Sequence, residues 1–446
     1  MKTPICDFVE NYARSVELRL HMPGHKGVPF LGVEERDITE VEGADVLYGA
    51  EGIIAESEKN ASELFGSGKT VYSTEGSSLC IRAMVYLTTL YAKKIGKKPL
   101  ILAVRNAHKT FASALALTDC DVEWIYPKEK ENLISCRLTA ERLEKNLLER
   151  EDLPAAVYLT SPDYLGAVSD VEGIARVCHK FGVLLLVDNA HGAYRRFLSD
   201  SRHPMDLGAD ICCDSAHKTL PVLTGGAYLH ISSRAPQIFF DLAEQAMALF
   251  ASTSPSYLIL QSLDRANAYL SDGYKERLAK TVENARRIKS LLEKNGYSLI
   301  GDEEMKLCIE AKKYGYYGFE LAEILVDSGI VCEFYDRDFT VMMFTPEIGD
   351  GDFDKLASVL LSVPKKSEIV EAVPMVGIPE RAMTVKEATM SVFCEVDVED
   401  ALGRVLSVAN VSCPPAIPII VCGEIINENA LECFKYYGIK KCRVVE

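Results

Sequence analysis

Short apolar runs alternate along the chain with segments of helical periodicity, and that order predicts an α/β fold. The apolar runs place strands at 71–73, 100–104, 155–159, 183–187, 211–213 and 227–231. Each of the first five passes directly into polar residues. In an open parallel sheet, ligands bind beyond the carboxyl ends of the strands, so these exits are where chemistry is expected. Residues 1–50 show no such pattern and are expected to form an irregular arm. A large domain is expected over 51–265 and a small α/β domain over 266–365, the latter opening with a long helical pattern at 265–295. A charged, Pro-containing stretch at 364–374 predicts a linker, and 372–446 a third small domain.

Three exits carry candidate chemistry. The run ending at Val187 is followed by Asp188-Asn189-Ala190-His191. A carboxylate there is either the cap of the next helix or the partner of a buried cation, such as the protonated pyridine nitrogen of a cofactor. The second reading requires a lysine nearby. One strand-helix-strand excursion later, Asp214-Ser215-Ala216-His217-Lys218-Thr219 leads to Thr224-Gly225-Gly226 and another strand. A lysine between two apolar strands, beside an imidazole and a Gly pair that lets the chain turn back closely, is a candidate reactive amine. Lys26 and Lys109 also follow histidines, but only Lys218 follows the acid at one βαβ spacing. At the third exit, Thr74-Glu75-Gly76-Ser77-Ser78 opens a helical pattern with small residues, whose free N–H groups and hydroxyls suit a phosphate.

Composition narrows the partners. The 446 residues are 48% hydrophobic, enough for a sizeable core, and carry a formal charge of −16 without a basic run. Nucleic acid is therefore not expected, whereas the acidic field suits a cationic small molecule. The fourteen cysteines are scattered without C-x-x-C spacing, as in a cytoplasmic protein with reduced thiols. No apolar stretch has the length of a transmembrane helix. No metal is expected: His21 and His25 are four residues apart, but Pro23 and Gly24 between them prevent a shared helical face. Gly68-Lys69-Thr70 imitates the end of a P-loop without its first glycine.

On these residues the chain resembles the ornithine/lysine/arginine decarboxylases of the aspartate-aminotransferase fold, in their short form. The resemblance runs through HMPGHKG at 21–27, DITE at 37–40, TEGSS at 74–78 and RNAHKT at 105–110. It continues through LTSPDYLG at 159–166, VDNAHGA at 187–193, SAHKTLPVLTGGA at 215–227 and STSPSY at 252–257. It implies a pyridoxal-phosphate-binding large domain, the small α/β domain and a C-terminal α+β domain. It further implies Lys218 as the Schiff-base lysine, Asp188 as partner of the pyridinium nitrogen and His108 as the imidazole stacked on the ring. His191, Ser215, His217 and Thr160 would surround the cofactor, with Gly76, Ser77 and Ser78 on its phosphate. Thr253 or Ser254 would act across a homodimer interface.

The implied reaction is decarboxylation of a basic L-amino acid, as in polyamine biosynthesis, with Lys218 or His217 returning a proton to Cα. An aminotransferase or lyase of the same fold, or a non-catalytic relative, are the alternatives. Asp163, Glu333, Asp336 and Glu424 are candidates for the cationic side chain, although each is also readable as a solvated surface acid. In the C-terminal run CPPAIPIIVCGE, Ala416 stands where the family has glycine and Cys422 where it has proline. The chain begins at the arm, so the larger assemblies built by an N-terminal wing are not expected.

Overall fold

The computed structural model describes residues 1–15, 18–127, 134–408, 412–413 and 416–446, so Pro414 and Pro415 of the Pro-rich turn lie outside the described residues. Two compact units are present. One comprises Met1–Pro99, Glu144–Tyr158 and Val171–Glu276; the other comprises Leu100–Leu143, Leu159–Asp170 and Arg277–Glu446. The principal strands are β1 (Lys69–Ser73), β2 (Leu100–Val104), β3 (Asp121–Ile125), β4 (Ala156–Thr160), β5 (Leu184–Asp188), β6 (Ile211–Asp214) and β7 (Ala227–Ile231).

In the first unit β1, β7, β6 and β5 lie side by side in that order. β5 and β6 are parallel, while β7 is antiparallel to both β6 and β1. Two reversals leave β1 parallel to β6, so the exits of β1, β5 and β6 share one edge. Every residue of β5, β6 and β7 is buried. That is why β5 and β6 read as apolar runs up to their terminal aspartates, and β7 as one broken only at His230, and not as alternating patterns.

The arm is more ordered than its sequence suggests. Pro4–Arg14 is a helix. Further on, the Glu34 carboxylate accepts the N–H groups of Phe30, Leu31, Gly32 and Val33, and Asp45 accepts those of Val46, Glu51, Gly52 and Ile54. Backbone donors that no ladder or helix satisfies thus find carboxylates instead. The helical pattern at 265–295 is two helices, Tyr257–Ser271 and Tyr274–Lys294, separated at Gly273, whose φ of +63° ends the first.

In the second unit β2 and β3 pair in parallel. β3 has a mixed polar and apolar sequence, Asp121-Val122-Glu123-Trp124-Ile125, and for that reason escapes a search for apolar runs. A four-stranded antiparallel sheet follows, with β8 (Leu299–Ile300), β9 (Lys306–Glu310), β10 (Phe334–Tyr335) and β11 (Phe339–Met343) in the order β10-β11-β9-β8. Near the C-terminus Phe393–Asp397 pairs antiparallel with Lys441–Val445. Val341, Leu406, Ile419, Phe434 and Val444 belong to one apolar cluster, so this ladder and the small sheet share a core.

Candidate active site

Asp188 closes β5 and is 2% exposed. Its carboxylate accepts the Tyr158 hydroxyl at 3.2 Å, the Ala190 N–H at 3.1 Å and the Cys213 thiol at 3.7 Å, all neutral donors. It caps no helix, since the next helical turn, Ala193–Phe197, has Gly192 at its N-cap. Burying a carboxylate among neutral groups is costly, and a cation bound at this exit would offset that cost.

Lys218 rises from the single turn Ala216–Thr219 on the neighbouring exit, with Nζ 3.1 Å from Nε2 of the buried His191. His217 donates Nδ1–H to the Gly226 carbonyl at 2.9 Å, and its backbone N–H reaches the same oxygen at 3.2 Å. The Gly pair makes this return possible. A Cβ at Gly225, where φ is +102°, would lie 2.8 Å from the Thr74 carbonyl, and one at Gly226 would lie 2.3 Å from Val222.

The β1 exit joins this group. Gly76 donates its N–H to the Gly225 carbonyl at 2.7 Å, and the Ser215 and Ser77 hydroxyls are 2.8 Å apart. The helix Ser77–Lys94 therefore starts beside the lysine loop with a glycine at its N-cap, so no capping side chain covers the first N–H groups. Ser78 follows, half-buried. Thr253 and Ser254 are exposed, in a loop tethered where Ser252 N–H meets Glu75 at 2.7 Å. A buried acid whose described donors are neutral, an amine and a helix N-terminus capped by glycine on one edge fit the pyridine nitrogen, aldehyde and phosphate of pyridoxal phosphate. Sequence reading missed Tyr158, which nothing in its neighbourhood marks.

The remaining candidates lie in the second unit. Thr160 ends β4 with a buried hydroxyl. His108 is the N-cap of the helix Lys109–Thr118 and accepts the Thr110 N–H on Nδ1 at 3.2 Å. The Lys109 N–H donates to the Ala416 carbonyl at 2.9 Å. Ala416 has φ +82°, which explains the glycine expected there. Buried Arg105 donates to the carbonyls of Pro418 at 2.8 Å and Ile419 at 2.9 Å and lies 3.6 Å from Glu424.

The reading of four acids as solvated surface groups needs correction for three of them. Glu424 is 3% exposed and accepts the Tyr126 hydroxyl at 3.0 Å and the Val421 N–H at 2.6 Å. Asp163 is buried on Ser135 and Ala167, and burial pushes its carboxyl up to about 6. Asp336 is buried too and accepts the N–H groups of Asp338 and Phe339. Only Glu333 is exposed. Sequence cannot separate these cases: Ser135 and Tyr126 reach Asp163 and Glu424 from distant segments, and the local backbone partners of Asp336 carry no mark of its burial.

The edge so described defines a class, the pyridoxal-phosphate enzymes of the aspartate-aminotransferase fold. Within it, this chain belongs to the ornithine/lysine/arginine decarboxylase family: the profile described as Orn/Lys/Arg decarboxylase, major domain, matches residues 3–309. It is 28% identical to the arginine decarboxylase of Bacillus subtilis (strain 168), over 96% of this chain and 92% of that one. The arginine decarboxylase of Halalkalibacterium halodurans is likewise 28% identical, over 96% and 92%. Lysine decarboxylase A from Pseudomonas aeruginosa shares the fold, with a TM-score of 0.81 at 18% identity over 99% of this chain and 80% of that one. The protein is an amino-acid decarboxylase of basic amino acids, and pyridoxal phosphate is its cofactor. No helix among the described residues is long and apolar enough to cross a membrane.

Proposed function

We propose that the chain converts L-arginine to its amine and carbon dioxide, ahead of lysine and ornithine, as a step toward polyamines. Relatives matched over nearly their whole length and named arginine decarboxylases support that choice. The observation that carries the site is the Lys218–His191 contact on the exit next to the buried Asp188.

In this reading Lys218 would hold the cofactor, and Gly76, Ser77 and Ser78 would take its phosphate. His108 would stack on the ring, with His191, Ser215, His217 and Thr160 around it. Bound there, pyridoxal phosphate supplies an electron sink for the pair left when the Cα–carboxylate bond breaks. Asp188 keeps a proton on the ring nitrogen. His191 orients the Lys218 amine, and the proton that returns to Cα comes from Lys218 or His217. Incubating the loaded enzyme with equimolar arginine, lysine and ornithine tests the substrate. We expect carbon dioxide and chiefly the amine of arginine. Keto acids would overturn decarboxylation at this site, and a dominant diamine product would overturn the arginine assignment.

We further propose a homodimer in the cytoplasm, with Thr253 or Ser254 reaching the partner's phosphate site. Leu20, Phe30 and Leu31 of the arm are 80%, 77% and 88% exposed, more apolar surface than one short segment leaves in water without a partner. The described cysteines are free thiols, which suits a reducing compartment. Sedimentation should give twice the chain mass, and the pair Phe30→Ser and Leu31→Ser should shift it toward monomer.

A further inference from the structure

We propose that Asp214 is a positioning residue for Lys218: held by His203, His230 and Asn189, its carboxylate locks the exits of β5 and β6 against each other and sets where the lysine amine meets His191. This rests on the reading of Lys218 as the cofactor lysine.

Asp214 ends β6 four residues before Lys218, and it is fully buried, as are His203 and His230. Its Oδ2 lies 2.9 Å from His203 Nε2 and 3.3 Å from His230 Nε2, while Oδ1 accepts the Asn189 amide at 2.7 Å. The tautomers follow from the far side of each ring. His203 Nδ1 accepts the Met205 N–H at 3.3 Å, so its proton is on Nε2. His230 Nδ1 is 2.8 Å from the Thr70 hydroxyl, and burial lowers the pKa of this imidazole, leaving it neutral with Nε2–H toward Asp214. Burial alone would raise the Asp214 carboxyl, but the two imidazoles outweigh it and hold it well below the usual carboxylate range. One buried anion therefore takes three N–H donors from three other segments.

The link to the cofactor edge is Asn189. Its side chain binds Asp214 and its backbone N–H donates to the Cys213 carbonyl at 2.9 Å, so it is tied twice to the end of β6. Asp188 precedes it directly and His191 stands two residues on. A tilt of the β6 exit, which carries Lys218, thus carries the Asp188–His191 turn with it. Phe65 packs its ring 4.6 Å from His230 and 5.4 Å from His203, centroid to centroid, which restrains both imidazoles. Buried ionic clusters of this kind are frequently replaceable by apolar groups without loss of stability, so registry is the use that accounts for a carboxylate here.

His203, Asp214 and His230 bring their ligand atoms within 4.8 Å of one another, a spacing a divalent cation could also use. Protons on both Nε2 atoms leave no imidazole lone pair facing that point, which favours the hydrogen-bonded arrangement.

The test is the rate at which Lys218 captures the cofactor. Apoprotein is mixed with pyridoxal phosphate, quenched with borohydride at intervals, and the modified peptide quantified. Asn189→Ala removes the side-chain tie to Asp214 and leaves the backbone tie to Cys213 and the carboxylate with its imidazoles, so it should fold with a melting temperature only a few degrees lower while capture slows about tenfold, the effect of one net hydrogen bond. Asp214→Asn should slow capture at least as much if it folds, and Asn189→Ala decides alone if it does not. An unchanged capture rate in folded Asn189→Ala overturns the proposal. So does a stoichiometric divalent metal in the parent that Asp214→Asn loses. Capture on a lysine other than Lys218 in the parent would instead refute the reading of the cofactor lysine itself.

Discussion

Residue identity at the strand exits governs the chemistry, and Lys218 and Asp188 have separable signatures. Lys218→Ala should abolish both the visible-edge absorbance of the cofactor-loaded protein and decarboxylation; absorbance that persists would show that another amine holds the cofactor. Asp188→Ala should keep part of the cofactor but lose turnover by about 100-fold or more, because the ring nitrogen loses the charge that favours its proton. Steady-state kcat at saturating cofactor checks this. Ala416 is the converse case, a residue whose backbone suits another. At φ +82° its Cβ crowds the following carbonyl, so Ala416→Gly should stabilise the fold by about 1 kcal/mol, seen as a higher urea midpoint.

At the scale of elements, the loop after β2 shows how a motif is held in place. Arg105 of RNAHKT anchors Pro418 and Ile419, and the Ala416 carbonyl meets the first N–H of the helix that His108 caps. Removing the guanidinium would leave two carbonyls and the buried Glu424 without it. Arg105→Ala is expected to cost about 3–5 kcal/mol in urea unfolding. A loss below about 1 kcal/mol would mean that the anchor is dispensable. This loop was legible in the sequence only as a motif. Its anchor was not, because Arg105 and Ile419 are brought together by the fold alone.

For the molecule as a whole, one route by which pH acts is Glu58, a buried acid outside the cofactor edge. It accepts the Tyr72 N–H at 2.8 Å, and burial pushes its carboxyl from 4.5 up to about 8. Below pH 4.5 both folded and unfolded states hold the proton, and its contribution is fully present. As pH rises toward 8 the unfolded chain ionises first, so stability falls through that window and the contribution is lost above it. Glu58→Gln keeps an oxygen for Tyr72 and cannot ionise. Unfolding free energies from about pH 5 to 9 should therefore fall less steeply in the variant, by on the order of a few kcal/mol at the alkaline end. Parallel curves would show that the Glu58 carboxyl titrates normally.

The sequence by itself determined the α/β class, the exits of β1, β2, β4, β5 and β6, and the Lys218, Asp188 and Ser77-Ser78 candidates. Strands buried on both faces must be continuously apolar, so the polar residues at their ends stand out even in one chain. β3 and the arm helix did not stand out, since mixed sequences carry no such contrast. Only the tertiary structure decided that β7 reverses direction and sets the β1 exit beside the lysine loop, that Asp163, Asp336 and Glu424 are buried, and that Asp214 meets two imidazoles. For Asp163, Glu424 and Asp214 those outcomes depend on which distant donor faces the carboxylate: Ser135, Tyr126 and the two imidazoles. Hydrogen-bond partners far apart in the chain leave no periodic trace in it.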